Sequence, residues 1–234
     1  MNGEQNMQKN AFTLAEVLLT LAIIGVVAAL TIPAVVTKVT KDQYVVGLKK
    51  AYNTLKAVER QSTEVNGSLE HWDWSLSGAQ FFEEYFKPYI DIIKDCGTQT
   101  DDGCFSDTIY FLNDDVWRDN FNNASYFGYN RIVAADGIAY TYVTTSSTAA
   151  PPDSHGLILI DLNGTKKPNK AGRDIFAFDI WPTMGIRPYG AFFYNASTET
   201  VRQQLASTIE TNCSDGHHGE YCAVKVLAEG AMNY

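Results

Sequence analysis

The sequence contains no Gly-rich phosphate loop, no dinucleotide-binding glycine turn, no His-Glu-x-x-His and no Gly-x-Ser-x-Gly. Those patterns carry nucleotide binding, zinc hydrolysis and serine hydrolysis, so none of these chemistries is signalled. Scattered Ser, His and Asp residues do not assemble into a triad from their order alone, and the chain reads as a non-enzyme. Basic residues are scarce over 64–119, where Lys87, Lys94 and Arg118 stand alone against many carboxylates, and the net charge is −9. An acidic domain repels a phosphate backbone, so no nucleic-acid partner is expected. There is no internal repeat and no sign of a second domain. Cysteine is confined to Cys96, Cys104, Cys213 and Cys222, with no Cys-x-x-Cys of a redox or zinc site.

Charge is also nearly missing from one long run. Between Phe12 and Val36 only Glu16 is charged. As a helix this run would be roughly 37 Å long, enough to cross a hydrocarbon core of about 30 Å with some tilt. It is too long for a secretory signal, and no Ala-x-Ala site ends it. A plain anchor would fit the length but gives no reason for Glu16, because an intramembrane carboxylate costs on the order of 3 kcal/mol and points to a function.

The segment Lys9-Asn10-Ala11-Phe12-Thr13-Leu14-Ala15-Glu16-Val17 resembles the processing site of type IV prepilins and type II secretion pseudopilins. In that family a short basic leader ends in a small residue and is followed by Phe-Thr-Leu-x-Glu and an apolar helix. The resemblance implies a leader over 1–11, cleavage after Ala11 by a prepilin peptidase, and N-methylation of the new Phe12 amine. Ala11 departs from the glycine the family prefers there. Lys9 would hold the leader in the cytoplasm by the positive-inside rule. Glu16 and the Phe12 amine of a neighbouring copy, each costly alone in a low dielectric, would relieve each other and fix the register between subunits. Pro33 lies where the family's helix loosens in the filament; an ordinary membrane-helix proline is the alternative.

Beyond the apolar run, Tyr44, Val45, Leu48, Ala51, Tyr52, Leu55 and Val58 recur at helical spacing, with Lys and Arg on other faces. The helix is therefore expected to continue as an amphipathic segment over 37–61, following a transmembrane segment over 12–36. Residues 62–234 form one globular domain. Within it, 77–95 reads as a helix interrupted at Pro88, and 198–211 as a surface helix capped by Ser197 or Thr198. Strands are expected at Thr108–Asn113, Ser125–Ala134, Ile138–Thr144, His155–Leu162 and Ile175–Trp181, with a last strand at Ala223–Ala228. The fold class is α+β, a long N-terminal helix packed on an antiparallel sheet. On the exported side the four cysteines would form two disulfides; three pairings are open, and the short spacings favour Cys96–Cys104 and Cys213–Cys222.

One loop gathers hard oxygens around turn formers: Asp161, Asn163, Asn169 and Asp174, interspersed with Gly164, Pro168 and Gly172. Calcium takes six to eight oxygens and tolerates irregular loops. Major pseudopilins carry an Asp-rich calcium loop late in the chain, so the resemblance adds calcium as a candidate cofactor. A turn-rich strand connection is the alternative, and Lys166, Lys167, Lys170 and Arg173 weigh against a cation. His217-His218 reads as an exposed loop, since adjacent histidines rarely share one metal.

The function implied is a structural one: a pilin-like subunit assembled into a type II secretion pseudopilus or a type IV pilus. Its partners would be copies of itself, other pilin-like subunits, the prepilin peptidase, the inner-membrane assembly platform and lipid. It would sit in a bacterial inner membrane as a single-pass protein, its C-terminal domain periplasmic or extracellular. The alternative is a membrane-anchored binding module that recognises a ligand or secreted substrate.

Overall fold

A computed structural model describes residues 13–98, 103–119, 121, 130–144, 156–191 and 199–234. Two compact units divide the chain, Met1–Thr40 and Lys41–Tyr234. Helix α1, Leu14–Asn66, supplies the described part of the first unit and opens the second. Within 14–40 the large apolar side chains, from Leu14 to Val39, are exposed. This is the one helix among the described residues long and apolar enough to cross a membrane. It runs through Pro33 without a break. Thr20, Thr31 and Thr37 turn their hydroxyls back onto the Val17, Val27 and Pro33 carbonyls at 2.9 Å, so these polar groups are satisfied without water.

In the second unit α1 buries Val45, Leu48, Ala51, Leu55, Val58 and Ser62, an i, i+3, i+4 stripe. The helix ends where Gly67 takes φ +82°, a conformation that costs other residues more. Ser77 then opens α2, Gly78–Tyr85, through a capping box with Gln80. Pro88 stops that helix in a short 3₁₀ turn, Lys87–Tyr89, and the chain leaves as strand β1, Ile92–Gly97. The helix expected over 77–95 is therefore shorter: its last residues pair with a strand, a tertiary preference that the aromatic run did not reveal.

The remaining strands are β2 (Ile109–Tyr110), β3 (Val116–Arg118), β4 (Arg131–Ala134), β5 (Ala139–Thr144), β6 (Gly156–Asp161), β7 (Ile175–Trp181) and β8 (Gly185–Pro188). A six-stranded sheet has the order β1-β4-β5-β6-β7-β8, and β2 and β3 form a small hairpin. Every pairing in both sheets is antiparallel. The Asp136-Gly137 turn joins β4 to β5. The expected strand Ser125–Ala134 is seen from Arg131 onward, its first residues and the loop over 145–153 lying outside the described set.

The sheet is covered on both faces. Tyr140, Tyr142, Ile158, Ile160, Phe176, Phe178, Ile180 and Ile186 join the α1 stripe and α2 in one cluster. The alternate residues Ala139, Val143, Leu157, Leu159, Ile175 and Ala177 pack with Phe105, Ile109 and Phe121 in another. Burial on two sides explains why β6 and β7 read as nearly continuous apolar runs. Tyr52 of α1 stacks on Phe178 at 5.6 Å, and Phe81 of α2 on Tyr142 at 4.7 Å.

Two helices follow, α3 (Glu199–Asn212) and α4 (Cys222–Glu229). The strand expected at Ala223–Ala228 is thus a helix. Cys222, Ala223 and Val226 are buried at helical spacing, and Gly230, at φ 69°, closes the C-terminus by donating to the Val226 carbonyl. The Val-Lys-Val sequence alternates like a strand, but the glycine stop and the core beneath it decide. Cys96 is bonded to Cys104, and Cys213 to Cys222.

Leu55 is fully buried and Val46, on the same helix, is 67% exposed. Leu55→Ala should cost about 2–5 kcal/mol and Val46→Ala about 0.5 kcal/mol or less. Urea unfolding of the full chain in detergent, followed by tryptophan fluorescence, measures both; equal losses would contradict the placement of α1.

Candidate functional site

Thr13 and Glu16 stand at the head of α1. The Thr13 N–H and hydroxyl both donate to Glu16 Oε2, at 2.9 and 2.8 Å, and the Glu16 N–H returns a bond to Thr13 Oγ1 at 3.2 Å. This is a reciprocal capping box. It gives Glu16 a partner within its own chain, and a carboxylate here also meets the positive end of the helix dipole. The Thr13-x-x-Glu16 spacing was the readable signal, and the role of Thr13 was missed. Ala11 and Phe12 lie outside the described residues.

The second candidate is the connection between β6 and β7. It brings Asp161, Asn163, Asn169 and Asp174 together. Asp161 and Asp174 are fully buried, and Asn169 is 5% exposed. Asp161 Oδ1 accepts the Asn163 N–H at 3.0 Å. Asp174 accepts the Asn169 and Lys170 N–H groups at 2.8 and 2.7 Å. Asn163 Nδ2 donates to the Tyr44 hydroxyl of α1 at 3.0 Å, and a β-carbon on neighbouring Gly47 would meet the Leu162 side chain at 3.4 Å. The loop is therefore seated on the amphipathic part of α1, through a tyrosine that sequence reading assigned only to the apolar stripe.

Burial, reinforced by the charge of Asp174, pushes the Asp161 carboxyl well above the usual carboxylate range. Burial raises Asp174 as well, against the N–H groups it accepts. The cations expected to oppose a metal point elsewhere. Lys170 pairs with Asp114, and Arg173 lies 3.7 Å from Asp215 and donates to the Tyr234 main-chain oxygen at 3.2 Å; Lys166 and Lys167 are exposed. Among the described residues, no three His, Cys, Asp or Glu side chains form a metal-binding group. A cation here would depend on amide and main-chain oxygens beside the two carboxylates, which suits calcium better than zinc.

The two histidines have separate partners. His217 Nδ1 meets Ser214 Oγ at 3.0 Å. His218 stacks on Phe111 at 4.1 Å and lies 3.7 Å from Glu220. Their arrangement is that of a loop held by local contacts.

Residues 6–32 match the family model described as the prokaryotic N-terminal methylation motif. No curated protein and no solved structure gives a significant match to the chain.

Loss of a Ser or Thr cap costs about 1 kcal/mol. Thr13→Ala should therefore speed amide exchange in the first turn of α1 about fivefold, and Thr13→Ser should restore it. Hydrogen exchange of the chain in micelles reads this; no change would remove Thr13 from the cap.

Proposed function

We propose, from a chain whose N-terminal segment is of the type IV prepilin and pseudopilin kind, that its mature form is a structural subunit of a type II secretion pseudopilus or a type IV pilus. The methylation motif marks a pilin-type substrate of a prepilin peptidase. On our reading, cleavage falls after Ala11, on the leading side of the apolar run. The transmembrane part of α1 is then retained, and a methylated amine is created on Phe12.

The observation that carries the proposal is the match over residues 6–32, together with a single carboxylate, Glu16, heading a helix whose next turns expose only apolar and hydroxyl side chains. A bilayer solvates those side chains but not the carboxylate. In a filament the Glu16 carboxylate would meet the Phe12 amine of the neighbouring subunit. The capping bonds from Thr13 hold Glu16 at the start of the helix, which keeps it at one depth in every copy. Pilin-type proteins are structural rather than catalytic, and the buried, aromatic-rich second unit suits a load-bearing block.

Mass spectrometry of membrane-extracted protein should find a mature chain beginning at Phe12, carrying one methyl group. A chain beginning at Met1, or after Val36, overturns the processing step. Glu16→Gln, which keeps the capping acceptor and removes the charge, should take the protein out of the sheared filament fraction while its membrane level and melting temperature stay unchanged. Normal incorporation of that variant would overturn the assembly role.

A further inference from the structure

We infer that the cleft between α2 and β1 takes the guanidinium of Arg60 from an adjacent copy of this chain. The contact deepens the filament reading above and rests on it.

A cleft of about 620 Å³ opens beside α2, lined by Glu83 and Glu84, by Gly97 at the end of β1 and by Asn130 just before β4. Leu76 and Ala79 give it an apolar flank. Its polar groups are acceptors in want of donors. The Lys87 ammonium and Asn130 Nδ2 both donate to Glu83 Oε1, which leaves Oε2 open. Glu84 is exposed, and among the described residues no Lys, Arg or His side chain pairs with it. Asn130 is 1% exposed, and its Oδ1 is buried with no hydrogen-bond partner. Chemistry dictates that orientation: only the amide nitrogen can face the Glu83 carboxylate, so the orphan is the oxygen. A buried acceptor without a donor is unfavourable.

Two carboxylates beside an unpaired amide oxygen fit a ligand that brings positive charge and several N–H groups. A guanidinium carries five such donors in a planar fork, and an ammonium carries three on a single point. A metal ion fits less well. Lys87 lies 2.6 Å from both Glu83 and Asp95, so a cation already stands at the rim. Among the described residues no three His, Cys, Asp or Glu side chains form a metal-binding group. Leu76 and Ala79 suit the methylene stem of an arginine.

The same chain supplies the donor. Arg131 is buried, Arg173 is held by Asp215 and the Tyr234 main-chain oxygen, Arg187 donates to the Met184 carbonyl, and Arg118 interacts with Glu220. Arg60 stands exposed near the end of α1, and among the described residues no carboxylate or carbonyl accepts its guanidinium. It belongs to the basic segment with Lys49 and Lys50, whereas the cleft belongs to the acidic stretch over 64–119. Both lie in the second unit, yet they do not pair within one chain. A contact between two different surfaces of identical copies is heterologous, and unless it closes into a ring it repeats without end, as a filament requires.

The test uses filaments sheared from cells expressing the full chain. Arg60→Glu and Glu84→Arg should each lower the protein recovered in that fraction roughly tenfold, the loss expected for a charged hydrogen bond, with membrane level and melting temperature unchanged. The double variant exchanges the two charges and should restore recovery to within about twofold. A second readout needs no loss of assembly and decides the matter should a reversal unfold the chain. In Arg60→Lys, the carbodiimide EDC should join the amine at position 60 to Glu83 or Glu84, and the linked peptides should come from a dimer-sized band. Single reversals that assemble normally, a double variant no better than either, or a link absent from intact filaments would overturn the contact and leave the filament reading standing. If the unmodified chain enters no sheared filament, the filament reading falls and this contact falls with it.

Discussion

The packing of the amphipathic part of α1 on the sheet is the contact on which the second unit depends. Leu48, Ala51 and Leu55 are fully buried there, and they meet strands whose opposite face is also covered. The central strands β6 and β7 therefore have no solvent face and cannot form a stable sheet alone. The order of dependence runs from helix stripe to sheet, and from sheet to the loop between β6 and β7. Glu59 reinforces it at the far edge, where its carboxylate accepts the Ile186 N–H at 2.9 Å, joining α1 to β8.

The same helix carries two opposite surfaces along its length. From Val17 to Thr37 it exposes apolar side chains and bonds the Thr20, Thr31 and Thr37 hydroxyls back onto its own carbonyls. From Lys41 onward it buries one stripe and turns Lys49, Lys50 and Arg60 to water. A membrane and a folded sheet are the two environments that these surfaces fit. Glu16 belongs to neither. Its bonds to Thr13 explain how it is tolerated at the head of the helix, and they qualify the first argument from sequence, in which Glu16 had no local purpose. An N-cap pair needs a carboxylate or amide at the third helical position; an intersubunit ion pair needs a charge there. Both demands can be met by one residue, and only the second is lost when Gln replaces it.

Much of this was legible in residue order. The apolar run, the stripe from Tyr44 to Val58, the Asn66-Gly67 stop and the Asp136-Gly137 hairpin each have a local physical signature. The failures share a cause. Ile92–Lys94 followed an aromatic helix and read as its continuation, but their pairing with β4 is non-local. Ala223–Ala228 alternates like a strand, and its helical outcome depends on the core beneath it and on Gly230. Val116–Arg118 and Gly185–Pro188 are too short to give a period. At the β6–β7 loop the side-chain oxygens were visible in sequence, while the contact of Asn163 with Tyr44 emerges only once the chain is folded.

The central claim is that Glu16 acts between subunits as well as within its own helix. Electron cryo-microscopy of filaments sheared from cells expressing the chain tests it most directly. The account predicts the first halves of α1 bundled in the filament core, with each Glu16 carboxylate within ion-pair reach of the Phe12 amine of an adjacent copy. A filament in which Glu16 contacts only its own Thr13, or in which the apolar halves lie at the periphery, would contradict it.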